Sequence, residues 1–172
     1  MVKMLVNSNP SNTHSKDNFG RTPLYKAASE NKLEIAKFLL KNGANIHYTA
    51  KFETILHTAT KFGDEVFVEM LIIAGADVDK QCHLSMTPLC NAIYYDKEAN
   101  AKMLINYGAN VNFKTSQGKS LLHYAIERNS LEVTKILIKN GASLTAKDLN
   151  GNTPLELALQ KMDFKFIMYL IA

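Results

Sequence analysis

A four-residue motif recurs along this chain of 172 residues at a nearly constant interval. Its five copies begin at Thr22, Thr54, Thr87, Ser120 and Thr153, which places successive copies 32, 33, 33 and 33 residues apart. A second marker, the dipeptide Gly-Ala, keeps the same interval at 43–44, 75–76, 108–109 and 141–142. Because two independent markers share one period, the chain is expected to be a repeat array in which each unit contacts only its neighbours.

The residues of one period predict two short helices. Thr22 stands where an N-cap belongs, and Pro23 stands at the first helical position, where its missing N–H costs nothing. Small residues such as Ala27 give this helix a narrow apolar face that a neighbouring repeat can approach closely. A second helix is predicted from about Leu33, with apolar residues at helical spacing, and Gly43 is expected to end it as a C-cap.

Two further positions in the period have structural roles. The branched residue that follows each Gly-Ala pair is expected to plug the core before the next turn, at Ile46, Val78, Val111 and Leu144. The position two residues before each motif is glycine in three repeats, which suits a turn with positive φ. Phe52 and Ser85 replace that glycine in the second and third repeats, so these turns are expected to be weaker.

The two patterns, T-P-L-[HYCE]-x-A and G-A-[ND]-[IV], resemble those of the ankyrin repeat family over residues 17–172. The resemblance implies an all-α fold, an ankyrin-type α-solenoid of stacked helix-turn-helix repeats with short hairpin-like turns. Complete repeats are predicted at 17–49, 50–81, 82–114 and 115–147. Residues 148–172 are predicted to form a truncated or C-terminal capping repeat, and residues 1–16 a partial preceding repeat or an N-terminal cap.

Catalysis is not indicated by the motifs. His57 and His123 occupy the histidine of the T-P-L-H motif, where the resemblance implies hydrogen bonds to the turn backbone of the adjacent repeat. In the other repeats this position holds Tyr25, Cys90 and Glu156, which are side chains that could not share one catalytic role. Glycine-rich phosphate loops, zinc-protease motifs and nucleophile elbows do not occur in the sequence. We therefore predict a protein that is not an enzyme and needs no cofactor.

Composition argues against several other classes. A zinc site at Cys82, His83 and Cys90 lacks the usual ligand spacing, so these are read as ordinary intracellular cysteines and no metal is expected. The net charge is +4, but lysines alternate with glutamates, which predicts a mixed surface and no nucleic-acid partner. No apolar run approaches the roughly 20 residues of a membrane span, so no membrane insertion is expected. The predicted location is intracellular, in the cytoplasm or nucleus.

The predicted function is a non-enzymatic scaffold that binds another protein through a concave groove, as the resemblance implies. Alignment to the family places partner-binding positions at Phe19, Arg21, Lys51, Glu53, Phe62, His83, Leu84, Met86, Tyr94, Tyr95, Gln117, Lys119, Glu127 and Arg128. Large apolar and aromatic residues cluster in the third repeat, as interface anchors do. The structural alternative is that Leu84 and Met86 fold back onto neighbouring turns.

Two other functions stay open. The preference for lysine and asparagine suggests one alternative, in which the protein is a pathogen or parasite effector that sequesters a host protein. The chain could also be an ankyrin segment that tethers a larger enzyme or channel. The last helix is expected to place Ile167, Leu170 and Ile171 at core positions. It is expected to expose Phe164, Met168 and Tyr169. We therefore expect either a fragment of a longer array or self-association through this end.

Overall fold

The computed structural model describes residues 10–50 and 53–171. A short 3-10 helix at Pro10–Thr13 leads into ten α-helices in five pairs within this part of the chain. The pairs are α1 (Pro23–Ser29) with α2 (Leu33–Lys41), α3 (Ile55–Phe62) with α4 (Glu65–Ile73), α5 (Pro88–Tyr94) with α6 (Glu98–Asn106), α7 (Leu121–Glu127) with α8 (Leu131–Lys139), and α9 (Pro154–Gln160) with α10 (Phe164–Ile171). The helix pairs therefore keep the period of the sequence motifs. The suggested helix within residues 2–7 lies outside the described residues.

Each first helix begins where the motif predicts. The Thr22 side chain accepts a hydrogen bond from the backbone N–H of Tyr25 at 3.3 Å, and Thr54, Thr87 and Thr153 cap their helices in the same way. Ser120 begins α7 with a reciprocal capping box, in which the His123 ring accepts from the Ser120 backbone N–H. A side-chain oxygen at this position satisfies donors that the first turn of a helix leaves unpaired.

The turns before the motifs are hairpin-like. Strand β1 (Thr49–Ala50) pairs antiparallel with β2 (Glu53–Thr54), and Lys114 forms an isolated antiparallel bridge with Ser120. Ser85 adopts a φ of 53°, in the left-handed region that glycine adopts without steric cost. The expectation of a weaker turn at Ser85 thus has a structural basis, whereas Phe52 lies outside the described residues.

The repeats stack helix on helix. The first helices α1, α3, α5, α7 and α9 pack in series, and α4, α6 and α8 pack in a second row. Where the first helices meet, one equivalent position is a buried alanine throughout, at Ala27, Ala59, Ala92, Ala125 and Ala158. Small side chains at this position let successive helices approach closely, and the resulting core runs along the array.

Two core predictions near the C-terminal end are wrong. Leu144 does not plug the core, since 42% of its surface is exposed, and Ile171 is 60% exposed. In the earlier repeats, the loop that follows the second helix is hydrogen-bonded to the corresponding loop of the next repeat. For example, the Ser143 backbone N–H donates to the Asn112 side chain. No described residue supplies such a loop beyond α10, so these two side chains stay uncovered. Phe166 anchors α10 instead, fully buried with Ile126 and Ala158.

Candidate partner-binding groove

A surface cavity of about 730 Å³ lies at the turn tips and first-helix ends of the second, third and fourth repeats, and we call it the groove. Most of the predicted binding residues line it, namely Glu53, His83, Leu84, Met86, Tyr94, Tyr95, Gln117, Lys119 and Glu127. The groove also contains Ser85, Asn91, Thr115, Ser116 and Tyr124. Alignment of the repeats therefore placed these predicted residues around one cavity, and their role in binding stays a prediction.

The remaining predicted residues fall into three groups. Arg128 and Phe62 lie at the edge of the groove. Arg128 makes a cation–π contact with Tyr94, and Phe62 is linked to Tyr95 through the Lys61 ammonium, which contacts both rings. Phe19 and Arg21 do not line the groove; Arg21 pairs with Asp17 at 2.7 Å and stacks on Phe19 at 4.8 Å. Lys51 lies outside the described residues. The groove is thus centred on the third repeat.

Aromatic rings form the middle of the groove. Tyr94 and Tyr95 pack edge to face with ring centroids 5.1 Å apart, and Tyr124 lies 6.5 Å from Tyr94 in a similar orientation. Tyr94 is 41% exposed and Tyr95 is 37% exposed, so both keep surface available for a partner. Leu84 is exposed beside them, whereas Met86 is partly buried against the core. The alternative that these side chains fold back onto the protein therefore holds for Met86 and not for Leu84.

Positive side chains lie over these rings. The Arg128 guanidinium is 4.1 Å from the centroid of Tyr94, and the Lys61 ammonium is 4.3 Å from that of Tyr95. Lys61 also lies 4.9 Å from the ring of Phe62, so it bridges two aromatic groups. The Arg128–Tyr94 and Lys61–Tyr95 contacts join neighbouring repeats, because the residue pairs 61–62, 94–95 and 127–128 occupy equivalent positions at the ends of α3, α5 and α7.

Asn91 is the most informative residue that the sequence interpretation missed. Its side chain lines the groove yet is only 4% exposed, and its Nδ2 atom has no hydrogen-bond partner among the described residues. Asn91 shares a face of α5 with Tyr94 and Tyr95, three and four residues on, and lies 33 residues before Tyr124. Helical spacing from the predicted tyrosines is the signal that could have identified it.

The two motif histidines are structural, as expected. Nε2 of His57 lies 2.9 Å from the Met86 carbonyl oxygen in the next repeat, and Nε2 of His123 makes the same contact with Asn152. Nδ1 of His57 lies 2.7 Å from the Thr54 hydroxyl. Because a carbonyl can only accept, Nε2 donates to Met86, and in a neutral ring Nδ1 then accepts from the Thr54 hydroxyl. Burial lowers the pKa of His57, in agreement with this arrangement.

The cysteines show no sign of reactivity. Cys82 and Cys90 are both buried and unbridged, and burial raises the pKa of the Cys90 thiol. A raised pKa keeps the thiol protonated, which makes it a poor nucleophile and a poor metal ligand. Across residues 10–50 and 53–171, no three His, Cys, Asp or Glu side chains are grouped so as to hold a metal ion. In the same ranges, every helix is too short or too polar to cross a membrane.

This architecture, stacked helix pairs joined by short hairpin turns, defines a solenoid repeat protein. The profile described as "Ankyrin repeats (3 copies)" matches residues 1–82, 56–148 and 102–172. The chain belongs to the ankyrin repeat family. Ankyrin repeats generally mediate protein–protein interactions and are typically non-enzymatic.

Similar proteins contain this array as a small part of a larger whole. "Ankyrin repeat, SAM and basic leucine zipper domain-containing protein 1" of Rhinolophus ferrumequinum is 37% identical over 54% of this chain and 20% of its own length. The "Transient receptor potential cation channel subfamily A member 1 homolog" of Caenorhabditis elegans is 33% identical over 46% of this chain and 6% of its own. Human inversin is 33% identical over 51% and 8%. The chain thus spans a fifth or less of each of these relatives.

Proposed function

We propose that the chain is a non-enzymatic scaffold that binds one partner protein through the groove. The observation that carries this proposal is the cluster of Tyr94, Tyr95 and Tyr124 in a cavity of about 730 Å³. Tyrosines supply large contact area at low entropic cost and are enriched among residues that dominate binding energy. Because the rings are already packed against each other and against cations, little ordering is needed when a partner docks.

The test is capture of the partner by cross-linking in the source cell, followed by titration of the purified pair. Changing Tyr94→Ala together with Tyr95→Ala is expected to weaken binding by about 2 kcal/mol or more, which is roughly 30-fold in affinity. Tyr107→Ala is the matched control, since Tyr107 is 39% exposed but does not line the groove. Equal affinity of the tyrosine pair variant and the wild type, with helicity confirmed by circular dichroism, would falsify the assignment of this site.

A second candidate is favoured by the channel homolog among the relatives. In this version, the array is a segment of a larger protein and the groove tethers that protein to its partner. The two versions predict the same groove contacts but differ in the size of the native polypeptide. An immunoblot of the source cell with an antibody to this chain distinguishes them, because a tethering segment migrates well above 19.2 kDa.

We also propose self-association through the last repeat. Its helices carry or flank five exposed large apolar side chains: Leu159, Met162, Phe164, Met168 and Ile171. Met168 occupies the position held by Lys37, Lys102 and Lys135 in other repeats, so Met168→Lys restores a polar surface without disturbing the core. Sedimentation velocity should show concentration-dependent association of the wild type that this variant loses. A wild type that stays monomeric at all concentrations contradicts the proposal.

Our proposed location is the cytoplasm or nucleus. Two buried, unbridged thiols suit a compartment that keeps cysteines reduced. Fractionation of the source cell with an antibody to this chain tests the location, and recovery in the secreted fraction contradicts it.

A further inference from the structure

Two cations at the edge of the groove have no acidic partner among residues 10–50 and 53–171. Arg128 and Lys61 form no ion pair with any residue of the described ranges, although six other Lys and Arg residues there are paired with carboxylates. Lys119, the third cation of the groove, is already neutralised by Glu127 at 2.7 Å. Arg128 and Lys61 are therefore available to a negatively charged ligand.

These cations are held in place by the rings beneath them. Arg128 stacks on Tyr94 and Lys61 on Tyr95, and the two tyrosines contact each other at a centroid distance of 5.1 Å. The order along the surface is thus cation, ring, ring, cation. A guanidinium placed over a ring still has N–H donors that can bond a carboxylate. Stacking also restrains side chains that are otherwise flexible, so binding costs less entropy.

An unpaired donor lies in the wall of the same groove. Nδ2 of Asn91 has no hydrogen-bond partner among the described residues, and leaving a buried amide unpaired costs about 1–3 kcal/mol. An oxygen atom supplied by a ligand would recover that loss. The part of the groove around Tyr94 and Tyr95 therefore offers positive charge and a hydrogen-bond donor. A ligand that fits it supplies an oxygen acceptor from a carboxylate or a carbonyl group.

We propose that the partner contributes an acidic segment, with one carboxylate at Arg128, a second at Lys61 and an oxygen that accepts from Asn91 between them. This inference rests on the proposed function of the groove. The segment is expected to carry its carboxylates beside Arg128 and Lys61 only, because the Glu53 carboxylate lines the groove itself, near His57. A nucleic acid is disfavoured, since two unpaired cations neutralise few phosphates and the groove carries carboxylates of its own.

The experiment is selection of random peptides displayed on phage against the immobilised chain, followed by anisotropy titration of the peptides obtained. The selected peptides should be enriched in Asp and Glu. Their affinity should fall about tenfold or more when Lys61→Glu and Arg128→Glu are combined, and also when the peptide carboxylates become amides. Tyr107→Ala should leave affinity unchanged. Asn91→Asp, which replaces the donor with an acceptor of the same shape, should also weaken binding.

The outcomes separate the two proposals. Peptides that require Tyr94 and Tyr95 but show no acidic enrichment, and that tolerate the charge reversal, overturn the acidic segment and leave the groove function standing. Peptides that bind regardless of the tyrosines, or a library that yields none, count against the groove function and this inference together. A single-stranded thymidine oligonucleotide that binds and is displaced by the same variants assigns the site to nucleic acid instead.

Discussion

The Nε2 atom of His57 lies 2.9 Å from the carbonyl oxygen of Met86, so one side chain ties the second repeat to the third. The ring is fully buried, and its Nδ1 lies 2.7 Å from the Thr54 hydroxyl. The pKa of His57 is below the ordinary value of 6.5, chiefly because of burial, although the bond to Met86 acts in the opposite direction. A proton on the buried ring therefore costs free energy in the folded state.

The pH dependence of stability follows from this shift. Below the ordinary pKa, the unfolded state binds a proton that the folded state excludes, so the free energy of unfolding decreases as pH falls from about 6.5 toward the lower folded pKa. Urea unfolding between about pH 8 and pH 5 measures this slope. His57→Ala should cost roughly 2–4 kcal/mol near neutral pH and should show a smaller slope. Identical slopes for the variant and the wild type would contradict a titrating role for His57.

The second prediction concerns Asn100, the polar residue at a position that is apolar in the other repeats. Its Nδ2 donates to the carbonyl oxygens of Thr60 and Gly63, both at 3.1 Å, and so ties α6 to the turn between α3 and α4. Asn100→Asp keeps the shape but places a carboxylate against two carbonyl oxygens. We expect a loss of about 3 kcal/mol or more in unfolding free energy at neutral pH.

This loss should be smaller in acid. Burial and the facing carbonyls raise the pKa of the introduced carboxyl in the folded state, so the folded variant binds the proton that the unfolded chain has lost. Stability of Asn100→Asp relative to wild type should therefore fall as pH rises above about 4. A difference between variant and wild type that is constant over this range would show that the carboxylate reaches solvent.

The third prediction compares two glycines at the same turn position. Gly118 and Gly151 have φ values of +70° and +81°, but a Cβ atom on Gly118 would lie 3.1 Å from Cγ of Leu149, whereas one on Gly151 would meet nothing within 4 Å. Gly151→Ala should cost only the left-handed backbone strain of about 1–2 kcal/mol. Gly118→Ala should cost about 1 kcal/mol more, because the alanine also crowds the next turn. Equal losses in thermal denaturation would mean that Leu149 moves aside freely.

The fourth prediction tests the alanine at which first helices meet. Ala92 is fully buried between α3 and α7, so Ala92→Leu should overpack both interfaces and lower stability by roughly 1–3 kcal/mol. Ala99→Leu adds the same atoms at an exposed position of α6 and serves as the control. Urea denaturation should show a reduced midpoint for the first variant only. A wild-type midpoint for Ala92→Leu would mean that the helices separate to admit the larger side chain.

The local features of the fold were predictable from the sequence. Thr87 and Pro88 mark the start of α5 because capping and proline geometry depend on neighbours within one turn of helix. Because the period is constant, alignment of the repeats also assigns equivalent residues to one face of the array. Tyr94 and Tyr95 were placed on that face by the alignment and line the groove, and their role in binding stays a prediction.

Contacts between repeats were decided only by the tertiary structure. Stacking of Arg128 on Tyr94 depends on the offset between α5 and α7, and the burial of Asn91 depends on the neighbouring repeats that enclose it. The exposure of Leu144 likewise reflects what lies beside it, because its local sequence fits a core plug. Sequence periodicity determines which way a residue faces, but burial and partner choice depend on side chains that approach from other repeats, about 33 residues away in the chain.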